Sequence, residues 1–85
     1  MNAAGTGRRM VPAPRRLWAF PNAERVKPKS VRHRWFDAET GYFYEWDYQH
    51  GRVERYDGRG HHLGEFDPET GAMTTPANPG QTIEI

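Results

Sequence analysis

From Val31 onward the chain alternates apolar and polar residues in short runs, and each run ends in a cluster of Asp, Gly, Pro or Thr. Alternation with a period of two is the mark of a half-buried strand. Strands are expected at 31–36, 42–47, 52–57, 61–66, 72–75 and 81–85. The breaks at 37–41, 48–51, 57–60 and 67–71 have hairpin length and carry turn-forming residues. One strand in about ten residues predicts a mainly β fold: a small, highly twisted antiparallel meander. The segments Phe36 to Gly41 and Phe66 to Gly71 share the pattern F-D-x-E-T-G, and Tyr56-Asp57-Gly58 is a looser copy. Turn geometry suffices to explain that echo.

Upstream the pattern is different. Residues 1–16 are rich in Ala, Gly, Pro and Arg, show no apolar period, and read as disordered. Leu17-Trp18-Ala19-Phe20 is too short for a lone helix and is expected to dock as an anchor. Asn22 to Arg25 has the length of one helical turn, and Pro28 keeps Lys27 extended. The chain thus divides into a basic flexible arm, 1–29, and a folded domain, 30–85.

The richest stretch is Tyr44 to Glu54. With Tyr48 to Gly51 as the loop, Asp47 pairs with Arg52, Trp46 with Val53 and Glu45 with Glu54. One face then carries Glu45, Asp47, Arg52, Glu54 and Tyr56. The other carries Tyr44, Trp46, Val53 and Arg55 and is the core candidate, with Trp35 also expected inside. Facing glutamates repel, so one carboxylate should titrate high unless a cation answers it. A high-titrating Glu beside His50 is the pairing that acid/base chemistry near neutral pH requires. Solvated charges and an inert loop histidine are the alternative. His61 and His62 are adjacent strand residues, point to opposite faces, and so do not share a metal ion. No metal site and no cofactor are expected.

The 85 residues allow one domain, and 35% hydrophobic content allows only a small core. Without cysteine there is no disulfide and no thiolate metal site. No apolar run approaches the about 18 residues of a membrane span, and no signal peptide opens the chain. The net charge of +1 conceals an asymmetry: residues 1–35 hold nine Lys or Arg against Glu24, and residues 36–85 hold three Arg against ten acids. A basic arm of that kind suits a polyanion.

Residues 31–79 closely resemble the cytotoxic domain of the ribosome-inactivating colicins and of related pyocin and polymorphic-toxin ribonucleases. The resemblance rests on Tyr44-Glu45-Trp46-Asp47, Gln49-His50-Gly51, Glu54, Tyr56, His62-Leu63-Gly64, Phe66-Asp67-Pro68 and Thr70-Gly71. The basic entry Arg32-His33-Arg34-Trp35 is also similar. It implies a metal-independent endoribonuclease that cuts small-subunit (16S) ribosomal RNA in the decoding region. Its catalytic residues would be Glu54 as base, His50 as acid and Asp47 as support. Tyr48, Arg52, Arg55, Tyr56 and His62 are the substrate-binding candidates. The implied partners are the ribosome and a cognate immunity protein, with DNA left uncut. The implied place of action is the target-cell cytoplasm, after delivery from a producer cell. The sequence departs from the family at Gln81, where an arginine is expected, and in concentrating its cations in the arm. It also lacks receptor-binding and translocation regions, so a free-standing cassette or an excised domain is expected. The rival readings are a β module that binds RNA or ribosomes without cutting, and a fragment of a tyrosine-aspartate-repeat toxin shell.

Overall fold

The computed structural model describes residues 10–85. Six strands form one antiparallel sheet in chain order: β1 Glu24–Val26, β2 Arg34–Asp37, β3 Tyr42–Asp47, β4 Arg52–Tyr56, β5 His62–Phe66 and β6 Met73–Pro76. Each strand pairs only with its neighbours in sequence, as in a meander. The described residues contain no helix, and none is therefore long and apolar enough to cross a membrane.

The four central strands lie where the alternation put them, and the hairpin register is the expected one: Glu45 opposite Glu54, Trp46 opposite Val53, Asp47 opposite Arg52. Two expectations at the ends are corrected. Asn22 to Arg25 is not a helical turn. Its second half enters β1, because Glu24, Arg25 and Val26 pair with Phe36, Trp35 and Arg34. Residues 81–85 form no strand. A single bridge joins Thr82 to His61, where the His62 amide donates to the Gln81 carbonyl and the Ile83 amide to the Gly60 carbonyl, and no ladder continues from it.

The core lies on one face of the sheet, around Trp35, Tyr44, Trp46 and Val53. Leu17, 1% exposed, and Ala23 complete it. The segment set apart from the sequence as a basic arm therefore supplies two buried core residues, although most of its described residues are exposed. Trp46 Nε1 donates to the Val11 carbonyl at 2.8 Å, and Trp35 Nε1 donates to the Arg15 carbonyl at 3.2 Å. Residues 1–9, including Arg8 and Arg9 and much of the stretch expected to be disordered, lie outside the described residues.

Four turns are each organised around an aspartate. In three of them an Asp side chain accepts the backbone N–H groups two and three residues on, and its carbonyl accepts the N–H of a glycine four residues on. These run Asp37 to Gly41, Asp47 to Gly51 and Asp67 to Gly71. The glycines have φ of 78°, 66° and 81°, where a side chain would be strained. Asp57 builds a looser version by accepting from Arg59 and His61.

Candidate active site

The turn from Asp47 to Gly51 is also the chemical one. Thr40 and Thr70 occupy the fourth position of their turns, and His50 occupies it between Asp47 and Gly51. The carboxylate that already accepts the Gln49 and His50 amides through Oδ1 at 2.9 and 3.2 Å turns Oδ2 to the imidazole. His50 Nδ1 donates to that Oδ2 at 2.7 Å. Nε2 is left for an outside partner, and the side chain is 57% exposed. The bond to Asp47, with that residue's charge, raises the His50 pKa. Burial pushes Asp47 upward, but the His50 side chain and the two amides outweigh it and hold its pKa low.

Below the turn, five side chains form one row across the sheet. Arg34, Glu45, Glu54, Glu65 and Thr75 are successive cross-strand partners on β2 to β6. Three of them are adjacent buried glutamates. Each glutamate has its own answer. Arg34 donates from Nε and Nη2 to Glu45 Oε2 at 2.9 and 2.6 Å, with both side chains almost wholly buried. Glu65 Oε1 accepts from Thr74 and Thr75 hydroxyls at 2.6 and 3.1 Å and lies 3.5 Å from Arg52 Nη1. The central one, Glu54, accepts from His62 Nε2 at 2.6 Å. His62 Nδ1 accepts the Asn78 amide at 2.9 Å, which directs the proton on Nε2 toward Glu54.

Glu54 is thus the one glutamate of the row without an arginine partner. Burial is the main reason its pKa is raised, and the charges of Glu65 and Asp47 add to it against the bond from His62. Glu65 goes the other way. Burial pushes it up, but the two threonines and Arg52 hold it below the usual range. The facing-glutamate expectation is met in Glu54, and a cation unnoticed in the sequence, Arg34, is what spares Glu45.

Two irregularities aim these groups. The β4–β5 register passes from Arg55 opposite Gly64 to Tyr56 opposite His62, skipping Leu63. Strict alternation would send His62 to the core face, and this bulge returns it to the face of Glu54. The β5–β6 register skips Thr74, so that both threonines reach Glu65.

The candidate residues divide accordingly. Asp47, His50, Glu54 and Arg52 share the polar face, and the Arg52 side chain is 39% exposed there. Tyr56 is on the same face but buried, its hydroxyl accepting from Gln81 Nε2 at 2.7 Å. His62 stands behind Glu54 rather than at the surface. Tyr48 turns to the core, its hydroxyl 2.5 Å from His33 Nδ1. Arg55 is on the opposite face, its guanidinium 4.1–5.4 Å from the rings of Phe20, Tyr42, Tyr44 and Phe66. Sequence reasoning missed Glu65, Arg34 and Asn78. Extending the Glu45–Glu54 register by one strand would have found Glu65.

One ligating atom each from Asp47, His50 and Glu65 lies within 4.8 Å of the others, close enough that the three could together hold a metal ion. His61 and His62 do point apart: His61 lies 3.7 Å from Asp57, and His62 is engaged with Glu54.

Residues 11–84 match the family described as Cytotoxic. Over 66 residues, 76% of this chain, the sequence is 43% identical to colicin E3 of Escherichia coli. It is 43% identical to cloacin over 54 residues and 41% identical to colicin-E6 over 54 residues, 62% of the chain in each case and both from Escherichia coli. The aligned parts make up 10–12% of the length of these relatives.

Proposed function

The chain belongs to the cytotoxic ribonuclease domain family of the colicins, and on that premise we propose that it is a toxin endoribonuclease that cleaves 16S ribosomal RNA in the decoding region. The observation that carries the reading is a proton donor and a proton acceptor held apart on one sheet face. His50 is tied to Asp47 with its pKa raised, and Glu54 is buried at the centre of a glutamate row with its own pKa raised.

Glu54 takes the proton from a ribose 2′-hydroxyl. The 2′-oxygen attacks the adjacent phosphorus, and the bond from phosphorus to the 5′-oxygen of the next nucleotide breaks. His50, protonated, gives the leaving oxygen its proton from Nε2. The products are a 2′,3′-cyclic phosphate and a 5′-hydroxyl, and Glu54 and His50 exchange protonation states. Asp47 keeps the imidazole oriented and charged until that transfer. His62 orients Glu54, and Arg52 faces the phosphorane charge. DNA lacks the 2′-nucleophile and stays uncut. The reaction needs no metal, since the proton steps belong to side chains. An immunity protein protects the producer, and action follows delivery into the target-cell cytoplasm.

Intact bacterial ribosomes incubated with the purified chain and a chelator test this reading. One small fragment from the 3′ end of 16S RNA is expected, with His50→Ala and Glu54→Ala each slowing its release by about 10²–10⁴-fold. Uncut RNA from a folded chain would overturn the enzyme reading. It would favour a ribosome-binding module, for which the observation is Gln81, a neutral amide bound to Tyr56 where the family arginine is expected. Gln81→Arg would then be expected to restore cutting.

A further inference from the structure

We propose that Trp18, with Arg15, Arg16 and Arg25, forms a second RNA-contact site on the face of the sheet away from Glu54, and that it binds a single-stranded stretch of the RNA substrate. The inference rests on the ribonuclease reading for the identity of its ligand.

Trp18 is 76% exposed, whereas Trp35 and Trp46 are 0% and 3% exposed. Its neighbours in sequence explain how a bare indole is held still. Leu17 is sealed in the core, and Phe20 stacks on Tyr44 with centroids 4.9 Å apart. The Ala19 amide donates to the Pro68 carbonyl at 2.9 Å, and the Arg15 carbonyl accepts from Trp35. The platform is therefore fixed before any ligand arrives, which lowers the entropic cost of binding.

One flank of Trp18 opens on a groove lined by Pro14, Arg15, Arg16 and Arg25. All three arginines are exposed, and among the described residues none forms an ion pair. Arg25 lies over the Trp35 ring, on the core side of the sheet, which places the groove opposite the glutamate row. The other flank of Trp18 meets Asp67 and Glu69. A phosphate backbone is thereby confined to the arginine side. An aromatic plane beside cations on one side only is the arrangement that takes a stacked base and its phosphates, with little preference for sequence. An acidic peptide would use the arginines and leave the indole idle.

The test uses the full chain carrying Glu54→Gln, so that RNA survives, titrated with single-stranded oligouridylate. Binding is expected to quench the exposed tryptophan emission, and Trp18→Ala is expected to remove the quench and weaken binding about tenfold. Arg15→Gln with Arg16→Gln should flatten the salt dependence of binding. In the active chain, Trp18→Ala should raise KM for ribosomes and leave kcat unchanged, because the indole lies outside the core and takes no part in the hydrogen bonds that hold Asp47, His50 and Glu54. Unchanged RNA affinity in Trp18→Ala, or equal quenching by polyglutamate, would overturn the proposal while leaving the cleavage reading intact. Quenching by RNA in a chain that never cuts would overturn the cleavage reading and keep this site.

Discussion

Three glutamates in a row are kept folded by three different devices, and each device makes its own prediction. Removing Arg34 leaves Glu45 charged and buried with no partner, so Arg34→Met should destabilise by about 3–5 kcal/mol in a denaturant melt. Arg34→Met combined with Glu45→Leu should recover most of that loss, since no orphan charge remains. Glu54 must lose its proton to act as base, so activity should rise as pH passes its pKa, above the ordinary 4.5. His50 must keep its proton to act as acid, so activity should fall as pH passes its pKa, above the ordinary 6.5. Glu65 pushes both values up, and a kcat/KM profile of Glu65→Gln should show both limbs moved to lower pH.

The elements explain what the sequence could reveal and what it could not. A period of two sorted Asp47, Glu54 and Trp46 to their faces because sterics enforce alternation along any paired strand. His62 escaped that logic. Its direction depends on one skipped residue in the pairing of β4 with β5, and nothing in β5 alone marks the skip except Gly64, whose φ is 148°. A Cβ there would sit 3.1 Å from Met73 and 3.2 Å from the Thr75 carbonyl. Gly64→Val is therefore expected to cost about 1–3 kcal/mol and to lower cleavage further by turning His62 from Glu54, measurable as a melt and a ribosome assay on the same protein. β1 was illegible because Glu24 to Val26 is too short to show a period and draws its place from β2. The repeated aspartate turn was half legible. The echo at Asp37 and Asp67 was visible, and the copy at Asp47 was hidden because His50 stands where its siblings carry threonine. His50→Thr should thus keep the melting temperature of the parent and lose cleavage.

The whole molecule is held by contacts that run far along the chain. Leu17 plugs the core, and the Trp35 and Trp46 indoles donate to carbonyls of the same leading segment. Deleting residues 1–29 should therefore remove the cooperative thermal transition seen by circular dichroism, and leave more than a shorter arm. Acid acts globally as well. Asp47, Asp57, Glu65 and Asp67 all have lowered pKa values, so their stabilisation is present above the unfolded values and lost as pH falls through the folded ones. Glu54, being raised, works in the opposite sense and softens the loss. The melting temperature should decline as pH drops below about 4.

The strand order has a mechanical consequence. Among the described residues the sheet has no crossover, and without cysteine no disulfide ties its strands together. Tension on the C-terminus meets the Thr82–His61 bridge and the Gln81–Tyr56 bond first and β6 next, and each strand that detaches exposes the next as the new edge. The ladder is loaded bond by bond, like a zipper, and not sheared all at once. A protein so arranged yields to a weak pull from its end while resisting heat as a single unit, and a narrow passage that draws the chain in tail first would dismantle it strand by strand.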